Sequence, residues 1–233
     1  MAKMRLKLEA RPEPSKFWGY GSPFLALLVT ILVGVLLFEL LGADPVRGIR
    51  MFLWEPISST YQLGELMVKA TPLLLIALGL ALCFRSSIWN IGAEGQYIMG
   101  CIAASWIALM ADETTSNWIV VPIILAGILG GMFWAAITAY LRDRFNANEI
   151  LVSLMLVYVA AQVLSYMASV PWKDPDGNNF PQSKLFEAAT TIPLLFEDSR
   201  VTIGLLIALF CTAGLWVFLF RTRSGFALQV GGL

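Results

Sequence analysis

Residues 70–111 read ATPLLLIALGLALCFRSSIWNIGAEGQYIMGCIAASWIALMA: two apolar runs, Ala70–Phe84 and Tyr97–Ala111, separated by Arg85, two serines, Asn90, Gly92, Glu94, Gly95 and Gln96. A helix needs roughly 20 apolar residues to cross the hydrocarbon core, and each run falls short of that. The fold turns on whether this region crosses the membrane once or turns back. Basic residues collect on the cytoplasmic side of membrane proteins. A single crossing would leave Asp112 and Glu113 inside and Arg142 and Arg144 outside, against that rule. The region is therefore predicted to be a hairpin or a re-entrant pair.

Composition supports a membrane setting. Of 233 residues 58% are hydrophobic and 14% charged, and mean hydropathy is +0.74. These values lie far from those of a soluble domain. Lys plus Arg equals Asp plus Glu at 16 each, so there is no cationic surplus for nucleic acid. Histidine is absent, which removes the commonest metal ligand and general base. Cys83, Cys101 and Cys211 lie in apolar runs without CxxC spacing and read as packing residues. No enzyme activity, metal or cofactor is expected.

Four further runs are long enough to span: Pro23–Leu41, Trp118–Leu141, Glu149–Val170 and Val201–Phe220. The first follows a tail carrying Lys3, Arg5, Lys7, Arg11 and Lys16, but it exceeds the h-region of a signal peptide and is read as an anchor. The expected class is an all-α polytopic membrane helix bundle with about six membrane segments, one pair of them short and discontinuous. Residues 1–22 would form a cytosolic tail, 23–220 the transmembrane domain, and 221–233 the start of a cytosolic segment, truncated. With the N-terminus inside, Arg85, Arg142, Arg144, Arg221 and Arg223 join the tail cations on one side. Segments 42–69 and 171–200 then lie outside, the second holding the turn-forming KDPDGNNFP at 173–181. Trp18, Trp54, Trp118 and Trp172 fall near the predicted borders.

Small residues recur every four positions at Gly127, Gly131, Ala135 and Ala139, at Ala161, Ser165 and Ser169, and at Gly204, Ala208 and Thr212. Such stripes let helix backbones approach closely. Tyr158, Gln162 and Tyr166 share another face of the fifth span, and a Gln at that depth needs a partner, either a neighbouring helix or a wet cavity. In WNIGAEGQ, Asn90 can cap the following helix, Glu94 suits its first turn, and Gly92 and Gly95 permit close backbone approach. Short apolar pieces around a Gly-containing polar stretch also mark discontinuous helices that meet a polar solute at membrane depth. On the residues alone, capped cytosolic hairpin and solute path both stand.

Residues 70–104 resemble the signature region of bacterial ABC importer permeases of the branched-chain amino acid, ribose and simple-sugar type. NIGAEGQ, Asn90–Gln96, is similar to the nucleoside and simple-sugar branch. NANEILVSLMLVYVA at 146–160 resembles a second stretch of those permeases, and RSGFALQVGG at 223–232 the start of their ATPase-contacting segment. The resemblance implies a multi-pass permease subunit of the bacterial inner membrane, moving a nucleoside or simple sugar inward by alternating access. It implies a cytosolic ABC ATPase, a second permease in a homo- or heterodimer, and an extracytoplasmic solute-binding protein. The chain has no GxxxxGK phosphate loop of its own.

By the same resemblance Asn90, Gly92, Glu94, Gly95 and Gln96 line or shape the solute path; Tyr158 and Gln162 are further lining candidates through their shared face rather than through the resemblance. Asn148 and Glu149 begin the next motif helix, and Arg223, Gly225 and Gln229 belong to the coupling segment. Val157 stands where those permeases lead one to expect Asn, removing a polar group from the implied path. The family also continues for several helices past this point, so the chain is expected to be a fragment or truncated product of a longer permease. Two other functions fit the composition. An ion-gradient carrier would need a buried carboxylate, with Glu94 the candidate, and a membrane scaffold would need no path at all.

Overall fold

The computed structural model describes residues 15–175, 177, 180–196 and 199–231. Lys3, Arg5, Lys7 and Arg11 of the tail, Asp176, Asn178 and Asn179 of the 173–181 turn, and the last two residues lie outside that set. Two compact units divide the chain, residues 1–63 and 64–233.

In the first unit, α1 (Lys16–Leu40) begins upstream of the expected start at Pro23, which sits inside the helix. The helix ends in a Schellman turn. Gly42, at φ +70°, donates its N–H to Glu39 O, and Ala43 donates to Phe38 O. Asp44 then accepts from the N–H groups of Val46 and Arg47 and starts α2 (Pro45–Leu53), with Pro45 in the first-turn position that lacks an N–H by right. Phe38 packs on Gly48, where a Cβ would come within 2.7 Å of the ring. A 3₁₀ turn follows at Glu55–Ile57. Ser59 accepts from the Gln62 N–H, while Ser58 and Ser59 donate to Gln62 Oε1, a side-chain cap that starts α3 (Thr60–Arg85).

Two expectations change. Segment 42–69, read as lying outside, is not separate from the span that follows: it holds α2, a 3₁₀ turn and the opening turns of α3. Nor are both apolar runs short. At 1.5 Å per residue the 26 residues of α3 reach about 39 Å, whereas α4 (Ala93–Ala108), with 16, reaches about 24 Å and alone falls short of the roughly 30 Å core. Helix propensity and the cap carry α3 back through residues that hydropathy alone assigns to the exterior.

In the second unit α4 lies against α5 (Val120–Phe145) and α6 (Glu149–Ser169). Gly100 faces Gly127, whose carbonyl oxygen is 2.9 Å from where a Gly100 Cβ would sit, and Gly130 faces Ala103 and the Met99 carbonyl. Gly127 and Gly131 thus serve as the predicted packing stripe, answered on α4 by Gly100, a partner the sequence pattern alone did not reveal. On α6 the expected stripe is displaced. Ala161 and Ser165 are exposed, while Ser153, Ala160 and Met167 form the buried face. Asn146, in the left-handed region, closes α5, and Asn148 caps α6 through the N–H groups of Ile150 and Leu151.

The segment between α6 and α7 (Gly204–Arg221) is irregular. Asp174 donates its N–H to Gln182 O, closing the described part of the predicted turn, and Trp172 meets Trp106 edge-on. Further on, Val201 is 2% exposed, Ser199 lies over Gly64, and the Arg200 guanidinium forks onto the Glu65 carboxylate. At the other end of the same helices Arg85 lies over the Phe220 ring, so α3 and α7 run parallel. Arg142 pairs with Glu149 near Cys83 and Ile88, and the cationic ends of α3, α5 and α7 therefore gather at one end, as the charge pattern requires. Thr222 breaks the helix and caps α8 (Arg223–Gly231). Among the described residues five helices, α1, α3, α5, α6 and α7, are long and apolar enough to span a membrane, and no strand forms.

Candidate functional site

The polar interruption folds as a short bracket between α3 and α4. Helix α3 ends in a second Schellman turn: Ser87 N–H donates to Phe84 O, Ile88 N–H to Cys83 O, and Ser87 takes the left-handed position usually given to glycine. The capping residue of α4 is Gly92, without a side-chain cap, rather than the expected Asn90. Asn90 instead accepts the Gly92 N–H at 3.0 Å, one residue upstream of the first helical turn. Its amide also pairs head to tail with that of Gln96: Asn90 Nδ2 donates to Gln96 Oε1 at 3.1 Å, and Gln96 Nε2 to Asn90 Oδ1 at 3.2 Å. Two neutral amides thus satisfy each other without help from a neighbouring helix.

Backbone contact with α6 holds this bracket in place. A Cβ on Gly92 would lie 2.8 Å from Ser153 Cβ, and one on Gly95 3.0 Å from Val157 Cα. Ser153, 1% exposed, accepts the Ile91 N–H and donates to Ile150 O. Trp134 of α5 donates its indole N–H to Leu156 O at 3.3 Å, joining the third helix to the same point on α6. Val157 therefore sits at the α4–α6 contact beside Gly95.

Helix α3 stands away from this cluster, leaving two cavities that share Cys83, Asn90, Gln96 and Ala135. One, of about 590 Å³, is polar toward the cationic end, where Thr138, Arg142, Asp143 and Glu149 line it. The other, of about 420 Å³, continues along the apolar wall of α3 past Pro72, Ile76 and Gly79 to Tyr97. The Asn90–Gln96 pair lies where they meet. Arg142 and Glu149 face each other across the polar cavity at 3.6 Å.

Of the residues singled out from sequence, Asn90 and Gln96 come together at the groove, and Gly92 and Gly95 shape it by letting α4 touch α6. Glu94 is exposed on the first turn of α4 and lines neither cavity. Tyr158 and Gln162 lie on an exposed face of α6 away from both cavities, and Gln162 makes no hydrogen bond among the described residues. Gly225 lets α8 fold back on Phe218 and Leu219, Gln229 donates to the Leu219 carbonyl, and Arg223 is exposed. Sequence reading missed Thr138, Asp143 and Ser153. Thr138 adjoins the small stripe on α5, whereas the buried positions Ser153, Ala160 and Met167, seven residues apart on α6, share no residue type that would set them apart in the sequence.

An all-α bundle with five helices long and apolar enough to span a membrane, and a shorter helix whose polar start opens into a groove, defines a polytopic membrane protein. Residues 62–233 match the family described as branched-chain amino acid transport system / permease component, and the chain belongs to that family. It is 34% identical to a glucose ABC transporter permease protein of Haloferax volcanii, over 98% of this chain and 62% of that relative. Against a guanosine ABC transporter permease protein of Bacillus subtilis the identity is 28%, over 90% of this chain and 60% of the relative. A nucleoside ABC transporter permease protein of Lactococcus lactis subsp. cremoris shares 25%, over 91% and 60%. The chain thus spans about 60% of the length of these relatives. No solved structure matches it.

Proposed function

We propose that this chain is part of the permease subunit of an ATP-driven importer, moving a nucleoside or simple sugar across the inner membrane by alternating access, with the groove beside α3 as a stretch of the solute path. The observation that carries this reading is the amide pair of Asn90 and Gln96 at the junction of the two cavities. An uncharged pair of donors and acceptors can exchange its hydrogen bonds for those of a hydroxyl-rich or base-bearing solute without leaving a buried charge. The relatives' names, glucose on one side and guanosine or nucleoside on the other, supply the solute classes.

The partners in this reading are a cytosolic ATPase, a second permease subunit and an extracytoplasmic binding protein. The cationic ends of α3, α5 and α7 then face the cytoplasm together with the N-terminus. Arg223 and the exposed side of α8 meet the ATPase, while Gly225 and Gln229 hold α8 on α7. Glu94 serves the path only through its place in the first turn of α4, and Tyr158 and Gln162 would line the path only where a further element covers α6.

Uptake of labelled nucleosides and sugars by cells carrying the full-length transporter tests this. Asn90→Ala or Gln96→Ala should lower uptake by roughly 5- to 150-fold with membrane assembly unchanged, since each leaves a partner amide unpaired in the groove (about 1–3 kcal/mol). Uptake that continues without the ATPase but collapses with an uncoupler would make the protein an ion-driven carrier. Unchanged uptake in both variants would make the groove a packing feature. Cysteine labelling checks orientation: Asp112 and Ser183 should react from outside and Asp143 from inside.

A further inference from the structure

The first unit carries a surface that the permease reading does not use. Helix α2 segregates its side chains. Val46, Ile49, Phe52 and Leu53 share one face, and Arg47 and Arg50 form a cationic stripe along its flank. The apolar face is unusually open for so short a helix, with Val46 at 75% and Phe52 at 78% exposed. Its position is set by α1. At 25 residues α1 reaches about 37 Å, more than the roughly 30 Å core, so its end stands at headgroup height. The Gly42 turn, the Asp44 cap and the Phe38–Gly48 contact then hold α2 against that end. Trp54, 60% exposed, closes the helix, a residue most stable at the interface.

The cationic stripe is equally unpartnered. The Arg47 and Arg50 side chains make no ion pair or hydrogen bond among the described residues. Together with Met51, Trp54 and Glu55 they line a cavity of about 340 Å³. Two guanidinium groups and one carboxylate leave a single net positive charge around it. That matches a singly charged phosphodiester, with the carboxylate placed to accept a headgroup hydroxyl, and is less suited to a doubly charged free phosphate.

We infer that α2 lies in the plane of the bilayer surface, its Val46, Phe52 and Leu53 face among the acyl chains, and that Arg47 and Arg50 hold the phosphodiester of an anionic phospholipid in the leaflet where α1 ends. This surface belongs to residues 1–63 and does not depend on the solute path.

The test uses the full-length protein in lipid nanodiscs of phosphatidylcholine with a minor fraction of phosphatidylglycerol. Bimane is attached at Phe52→Cys, after the native cysteines, Cys83, Cys101 and Cys211 among them, have been replaced by alanine. Brominated acyl chains should quench the probe, and iodide in the water should not. Bromine confined to phosphatidylglycerol should quench beyond its share of the lipid, with an enrichment of roughly five-fold for each arginine. R47Q/R50Q should remove that enrichment while leaving acyl-chain quenching intact, and added inorganic phosphate should not displace it. A probe shielded from both quenchers would mean that protein covers the face, and quenching by iodide that water does. Either result, equal quenching by the two lipids, or displacement by phosphate overturns the inference.

Discussion

Gly92→Ala puts the largest demand on the smallest change. A Cβ at residue 92 would lie 2.8 Å from Ser153 Cβ, 3.0 Å from the Ser153 carbonyl oxygen and 3.2 Å from Ser153 Cα. Carbon atoms rest at about 3.5–4.0 Å, so the two backbones must part by most of an ångström. Two of the three opposing atoms belong to the backbone of α6 and cannot rotate away. The separation also stretches the Ile91 N–H to Ser153 Oγ hydrogen bond, already 3.3 Å, beyond bonding range. Overpacking costs about 1–3 kcal/mol and the lost bond about 0.5–1.5, a total near 2–4 kcal/mol. For a chain of this size that is roughly 5–15 °C in Tm, measured by thermal unfolding in detergent. Gly34→Ala, where no atom lies within 4 Å, should be neutral or slightly stabilising in the same assay. Ser153→Gly should recover part of the loss in the Gly92→Ala background, because it removes the nearest atom. Strict additivity of the two substitutions, or an unchanged Tm for Gly92→Ala, would refute the contact as the cause.

Three further outcomes follow from local geometry. Asn148→Ala strips the cap from the Ile150 and Leu151 N–H groups and should cost about 1 kcal/mol, seen as a lower Tm and faster amide exchange in the first turn of α6. Gly42→Ala forces a side chain to φ +70° at the α1–α2 corner and should cost about 1–2 kcal/mol by the same unfolding assay. Arg142→Gln and Glu149→Gln, tested as a double-mutant cycle, should show a coupling below about 1 kcal/mol that fades with salt, since Arg142 is well exposed and the 3.6 Å pair is loose.

Much of the bundle was legible along the chain. The apolar runs located the spans, the arginines at 85, 142, 144 and 221 required residues 70–111 to turn back, and the Gly127–Gly131 spacing marked a packing face. The S-x-x-Q pattern at Ser59–Gln62 was also there to be read, and its cap starts α3 within a segment whose hydropathy suggests an outside loop. Less legible was the direction of each polar side chain. Glu94 and Gln96 are two residues apart on one helix, yet only Gln96 lines the groove. Tyr158 and Gln162 share a face by spacing, but spacing does not say which face meets α4.

From its sequence alone this protein was bound to be a membrane helix bundle with a polar, glycine-bearing break near one end of two apolar runs, because hydropathy, charge side and helix caps act within a few residues of one another. Its groove was decided only in three dimensions. It exists because Gly92 and Gly95 draw α4 onto α6, Gly100 meets Gly127 on α5, and α3 is left standing apart. Those contacts join residues as far apart as Ile91 and Ser153, and although the Gly127–Gly131 spacing marks one packing face, no pattern within a segment says which distant backbone will meet it. The Asn90–Gln96 pair is local in sequence, but its place at the meeting of two cavities depends on that distant fit.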